Sequence, residues 1–186
     1  MPRYFLALLP PEDLQEVING VKQQFAEQYQ SRKALNAPPH ITLQAPFEWP
    51  TSPAQDNPSI TALVQGLTEF SNCRASVPVQ LSGFGAFPPG VIYVQVQPTP
   101  ELLTLHTQLH AYCAQAWHIS DPRTQHRAFT PHITVAFRDL TRANFRASWP
   151  LFQDRVFDDS FVASALTILQ HNGQQWEAFA QTPFSS

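Results

Sequence analysis

Apolar positions recur with two different periods along the chain, and the order of those periods is itself repeated. RYFLALL (3–9) is a continuous apolar run closed by Pro10 and Pro11, which predicts a strand. Leu14, Val17, Ile18, Val21 and Phe25 then recur at helical spacing, with Glu12 and Asp13 in the first turn, where the helix dipole favours acids. A polar connector leads to a strand beginning PHITL. EWPTSPAQDNPS (48–59) reads as a loop and the segment from about 59 to 71 as a helix. VPVQLSGFGAF and VIYVQVQ flank PPG as two antiparallel strands around a turn.

The order then restarts. VIYVQVQ (91–97) runs into Pro98 and Pro100, as the first strand runs into its own prolines. Leu102, Leu105, Leu109, Tyr112, Cys113 and Ala116 give a second amphipathic helix, and HISDPRTQHRAFT (118–130) connects it to a second PHIT strand. Thr141 or Asp139 is placed to cap a shorter helix carrying Phe145 and Trp149. FVASALTILQ and QQWEAFAQ close the chain as a hairpin, with Asn172-Gly173 suited to its turn. Each half thus reads strand, helix, PHIT strand, helix, hairpin. This predicts one α+β domain over 1–186, built from two interleaved pseudo-repeats of about 1–98 and 91–186. Such a duplication predicts two α+β lobes related by a pseudo-two-fold axis and facing each other across a cleft.

Composition sets limits on that picture. At 186 residues, 43% hydrophobic and 13% charged, the chain is a core-former and not a disordered one. No apolar run approaches the ~18 residues needed to span a bilayer. The N-terminus lacks a small-residue cleavage site and reads as a strand, not a signal peptide. Cys73 and Cys113 allow at most one bridge, so a reduced, cytoplasmic chain is expected; a monomer is expected as well. The net charge of −3 argues against attraction to nucleic acid through bulk charge. Between Asp121 and Arg155, however, six arginines face three aspartates, which marks either a solvated face or a local anion site.

The repeated PHIT carries the chemistry. In a strand, residues i and i+2 share a face, so His40 and Thr42 point one way while Ile41 and Leu43 point the other. The same holds for His132 and Thr134 against Ile133 and Val135. If the isoleucine faces pack on helices, two imidazoles and two hydroxyls converge on the cleft. One neutral histidine can take a proton from water and one protonated histidine can give a proton to a leaving oxygen. The threonines can hydrogen-bond the phosphate oxygens without adding charge. A single His in a strand is more often a packed or exposed residue; two copies in equivalent places of a duplicated chain are not explained that way.

With His-Ile-Thr-Leu and His-Ile-Thr-Val in place, nearly the whole chain resembles the two-histidine (2H) phosphoesterase superfamily, whose hallmark is a pair of His-x-Thr/Ser-x motifs. That superfamily includes RNA 2′,3′-cyclic phosphodiesterases and 2′-5′ RNA ligases. PPHITLQAPFE, VIYVQVQPTPELLTLH and ILQHNGQQW look most like a small bacterial subfamily; QAPFEWP stands where the RNA cyclic phosphodiesterases usually have Phe-Leu-Gly. The resemblance implies two pseudo-symmetric lobes, each an antiparallel sheet backed by helices, with metal-independent catalysis in the cleft between them and no cofactor. The expected substrate is a nucleotide or RNA end bearing a cyclic phosphate or phosphodiester. Alternatives are a non-catalytic nucleotide-binding module, or action on 2′-5′ linkages or ADP-ribose cyclic phosphate.

Other positions are candidates for substrate contact. Aligning the halves on Pro10 and Pro98 sets Phe5 opposite Tyr93 and Ala7 opposite Gln95; either aromatic could stack a base or pack the seam. Arg138 is expected on the face of His132 and Thr134, at the far end of that strand. Arg123, His126 and Arg127 lie in the connector before the second motif. His106 and His110 have the i,i+4 spacing of metal ligands, but flank an apolar stripe and lack the zincin glutamate, so they read as boundary residues.

Overall fold

The computed structural model describes residues 1–50, 59–120 and 128–185. Arg123, His126 and Arg127, and residues 51–58 of the first loop, lie outside the described residues. Strand β1 (Arg3–Leu8) is followed by α1 (Glu12–Tyr29), a 3-10 turn (Lys33–Asn36) and β2 (Ile41–Glu48). Helix α2 (Ile60–Asn72) leads to β3 (Val77–Phe87) and β4 (Val91–Val96). Then come α3 (Pro100–Trp117), β5 (His132–Ala136), α4 (Arg142–Phe152), β6 (Asp158–Ala163), β7 (Ala165–His171) and β8 (Trp176–Pro183).

The strands form two antiparallel four-stranded sheets, ordered β2-β1-β7-β8 and β5-β4-β3-β6. Each PHIT strand is therefore the edge of its sheet, beside the apolar strand that opens its half. Sheet membership crosses the halves of the sequence: the C-terminal hairpin completes the first sheet and β3 belongs to the second. FVASALTILQ, expected as one strand, divides at Ser164. Its first part pairs with β3 and its second with β1, so the chain must pass from one sheet to the other there. The Ser164 carbonyl accepts the Phe184 N–H at 2.9 Å, which fixes the crossing against the end of β8.

Helices tie the sheets together. α1 and α3 are both 18 residues long, and each ends in a left-handed residue, Gln30 and His118, both at φ 57°. α1 packs on β5 of the opposite sheet, and α3 packs on β2 of the opposite sheet. Ser59, Thr99 and Thr141 cap α2, α3 and α4 by accepting the N–H three residues on. Asp139, the other expected cap for α4, instead accepts from Ser31 Oγ and from the Arg32 and Lys33 N–H groups, at 2.7–3.0 Å. The turn after α1 is thereby tied to the segment after β5.

Burial follows the predicted stripes with two departures: Ala116 of α3 is exposed, and α1 makes one exchange. Leu14, Ile18, Val21 and Phe25 are buried on α1, whereas Val17 is 55% exposed and Lys22 takes its place inside, at 1%. On β1, Tyr4, Leu6 and Leu8 enter the main core; Phe5 and Ala7 join Leu169 in a separate cluster on the opposite face. Cys73 and Cys113 are both free thiols. Among the described residues no helix is long and apolar enough to cross a membrane.

Phe152 joins α4 to both neighbours, its ring 4.5 Å from Phe25 and 5.2 Å from Phe84. Phe152→Ala is expected to destabilise the fold by about 3–5 kcal/mol, the usual cost of emptying a buried aromatic position. A urea titration checks this through the shift in midpoint at unchanged slope.

Candidate active site

The two motifs adopt one local geometry. His40 Nδ1 lies 2.7 Å from the Pro38 carbonyl and His132 Nδ1 lies 2.7 Å from the Thr130 carbonyl. A carbonyl can only accept, so each ring donates its Nδ1–H. In the neutral form the Nε2 lone pair is then left for chemistry. The motif prolines, Pro39 and Pro131, make the residue before each of them extended, which brings the carbonyl two residues back beside the ring.

Alternation does the rest. Ile41, Leu43, Ile133 and Val135 are buried in the main core, while His40, Thr42, His132 and Thr134 are half-buried on the other side. His40 rests on Phe5 of the small opposite-face cluster, with ring centroids 4.8 Å apart. His132 rests on Tyr93 at 5.0 Å and meets Phe87 edge-on at 5.2 Å. Phe5 in turn meets Trp176 at 4.7 Å. Each histidine is thus backed by a pair of aromatic rings from its own sheet. Neither Phe87 nor Trp176 was singled out by the sequence, because both reach the site from strand ends near turns.

Gly85 directs Tyr93. The two residues pair across β3 and β4, and a Cβ at Gly85 would collide with the Tyr93 ring. The ring can therefore lie flat across the strand towards His132. Tyr93 pairs with Thr134, and Gln95, exposed, pairs with His132. In the first sheet Ala7 pairs with Thr42. Judged by the motif strands, Ala7 and not Phe5 is the counterpart of Tyr93, two residues from the proline-based alignment. The offset is even, so Phe5 lies on the same face as Ala7 and meets His40 as Tyr93 meets His132.

Arg138 departs from its expected place. β5 ends at Ala136, and Arg138 has φ 61°, which breaks the alternation that would have carried it onto the histidine face. It is exposed, with its guanidinium 5.1 Å from the centre of the Phe137 ring. His106 and His110 have structural partners. His106 stacks on Phe129 at 3.7 Å, and His110 Nε2 is 2.7 Å from the Leu43 carbonyl, tying α3 to the first motif strand. Among the described residues no three His, Cys, Asp or Glu side chains gather as a metal site.

Electrostatics single out Lys22. Its Nζ donates to the Ala37 carbonyl at 2.9 Å, three residues before His40. Burial lowers its pKa to about 7. Burial likewise lowers His40 to about 4, against the raising effect of the Pro38 bond, and charges on Lys22 and His132 lower it further. His132 is also lowered by burial, opposed by its bond to Thr130. Lys22 was legible in principle: it lies four residues after Ile18 and three before Phe25, a cation on an apolar stripe.

A sequence model of the 2′-5′ RNA ligase superfamily matches residues 10–175. A protein of Geobacillus kaustophilus that carries a phosphoesterase name is 31% identical over 181 residues, covering 95% of this chain and 93% of its own. Among solved structures, E. coli LigT with 3′-AMP superposes with a TM-score of 0.66 at 17% identity, over 100% of both chains. The protein TT0787 of Thermus thermophilus gives 0.64 at 16% identity, over 98% of this chain and 97% of that one. The two-lobe α+β fold and the paired motifs have their place here: the chain belongs to the 2′-5′ RNA ligase superfamily, the two-histidine phosphoesterases.

Lys22 should reveal itself through stability. Its folded pKa lies below the ordinary 10.5, so between about pH 7 and 10.5 the unfolded chain holds a proton that the folded one does not. This group's contribution therefore rises with pH through that window. Lys22→Met is expected to be the more stable protein at pH 7, with its advantage shrinking by several kcal/mol towards pH 10. Denaturant midpoints of both proteins across this range test the prediction; an advantage constant with pH would contradict it.

Proposed function

We propose that the protein hydrolyses phosphodiesters, with 2′,3′-cyclic phosphates of nucleotides or RNA ends as substrates, through the His40/His132 pair and without a metal. The observation that carries this reading is the matched pair of Nδ1–H···O=C bonds, which leaves two equivalent Nε2 atoms for proton transfer. One Nε2 takes a proton from water as the water oxygen bonds to phosphorus. The other imidazole, protonated, gives its Nε2 proton to the sugar oxygen as the P–O bond breaks. Water is consumed, a phosphomonoester and a free hydroxyl are formed, and the two histidines end with their protonation states exchanged. Thr42 and Thr134 hydrogen-bond the non-bridging oxygens as their charge grows.

Phe5, Tyr93 and Gln95 are proposed to contact the sugar and base, through stacking on the rings and hydrogen bonding to the amide. LigT binds 3′-AMP and ATP, which supports a nucleotide as the ligand class here. Burial favours the neutral form of both histidines in the free protein, so the acid needs help to hold its proton. An anionic phosphate supplies that help, because an opposite charge beside an imidazolium raises its pKa.

The test is hydrolysis of the four 2′,3′-cyclic mononucleotides in EDTA. His40→Ala and His132→Ala are each expected to lose at least about 10²-fold in rate, the usual scale of general acid–base catalysis. The optimum in kcat/KM should fall below pH 6.5, because the free-protein histidines are lowered from that value. The kcat profile should lie at higher pH than the kcat/KM profile, since the bound phosphate raises the imidazolium pKa. Activity that vanishes in EDTA and returns with zinc, or that survives both substitutions, would overturn the mechanism.

A further inference from the structure

A recess of about 560 Å³ opens between α1, the 3-10 turn and the turn joining β7 to β8. Its lining is amide-rich, with Asn19, Gln23, Asn36 and Gln175, and Trp176 supplies an aromatic surface. No charged side chain is among its described lining residues. Two of its lining residues connect it to the surroundings of His40. Pro38, whose carbonyl holds His40, lines it, and so does Trp176, which contacts Phe5 beside His40.

Gly20 lies on the same wall, inside α1. A glycine inside a helix is less stabilising than alanine. No packing requirement explains it here, since a Cβ at Gly20 would meet nothing within 4 Å. The lack of a side chain leaves the recess wider.

The chemistry of the walls selects the ligand. A phosphate would call for cations; none is among the described lining residues, and the Arg3 guanidinium beside them lies over the Trp176 ring, 5.7 Å from its centre. A nucleobase offers a flat π face for Trp176 and an edge of donors and acceptors for amides. Gln23 and Gln175 already give their Nε2 groups to Glu27 and Glu177 at 2.8 Å. Among the described residues, the side-chain amides of Asn19 and Asn36 remain available to a base edge.

Resting on the phosphodiesterase reading above, we infer that the recess is a second base subsite. It takes the base of the nucleotide adjoining the one whose terminal phosphate reacts. The substrate class is accordingly the end of a short single strand, in preference to a free mononucleotide.

The test compares adenosine 3′-phosphate with a triadenylate 3′-phosphate in calorimetric binding to wild type and Gly20→Phe. The matching 2′,3′-cyclic compounds are compared in turnover. One stacked base is worth ~1–3 kcal/mol, so wild type should prefer the trinucleotide by about 5- to 150-fold. Gly20→Phe, which fills the recess, should bring that ratio close to one. Trp176→Ala should also lower it, whereas Trp176→Phe, which keeps a stacking face, should retain most of it. A ratio near one in wild type, or an unchanged ratio in Gly20→Phe, overturns the subsite. Intact length preference in binding with no turnover of either cyclic compound overturns the hydrolase reading and leaves the subsite standing.

Discussion

The structure turns on a short hydrogen bond made twice, from the Nδ1–H of a motif histidine to the carbonyl two residues earlier. This bond fixes the tautomer, and with it the nitrogen left for chemistry. It also fixes the ring plane, so that Phe5 and Trp176 on one side, and Tyr93 and Phe87 on the other, can pack around a ring of constant orientation. The carbonyl must itself be held. In the first lobe the preceding segment is anchored by Lys22 at Ala37; in the second, Phe129 is held by stacking on His106. Ala37 and Phe129 each stand three residues before their histidine, so two chemically different contacts serve the same position.

The cleft depends on the sheets being braced across their seam. Each crossover helix follows a strand of one sheet and packs on the motif strand of the other. His110 bonds to the Leu43 carbonyl, and Asp139 gathers Ser31, Arg32 and Lys33. These ties brace the two motif strands, which as edge strands would ordinarily be the least constrained of their sheets. On each of them a helix from the opposite lobe packs where a further strand would otherwise give support.

The lobes are alike in backbone and unlike in electrostatics. A buried cation stands behind His40, and the place corresponding to it behind His132 is aromatic. The imidazoles are thus held in equivalent geometry within different local fields, even though the motifs are identical. The amide-lined recess also adjoins only the first histidine's surroundings, through Pro38 and Trp176.

Much of this was legible in the chain. The periods of 2 and 3.6, the proline stops and the repeated PHIT define the strands, the helices and the duplication, because burial of one face forces those spacings on any sequence. The same alternation determined that His40, Thr42, His132 and Thr134 share a face opposite the core. Three-dimensional closure decided the rest. Nothing local indicates that FVASALTILQ divides between two sheets at Ser164, since both parts are equally good strand sequence and only their partners differ. Arg138 left its predicted face because a left-handed residue ends the alternation, and arginine carries no signal for that conformation. Phe87, Trp176 and Lys22 entered the site from strand ends and from a helix distant in sequence. Spacing along a chain specifies which side a residue faces within its own element; which residues face one another depends on how the elements pack.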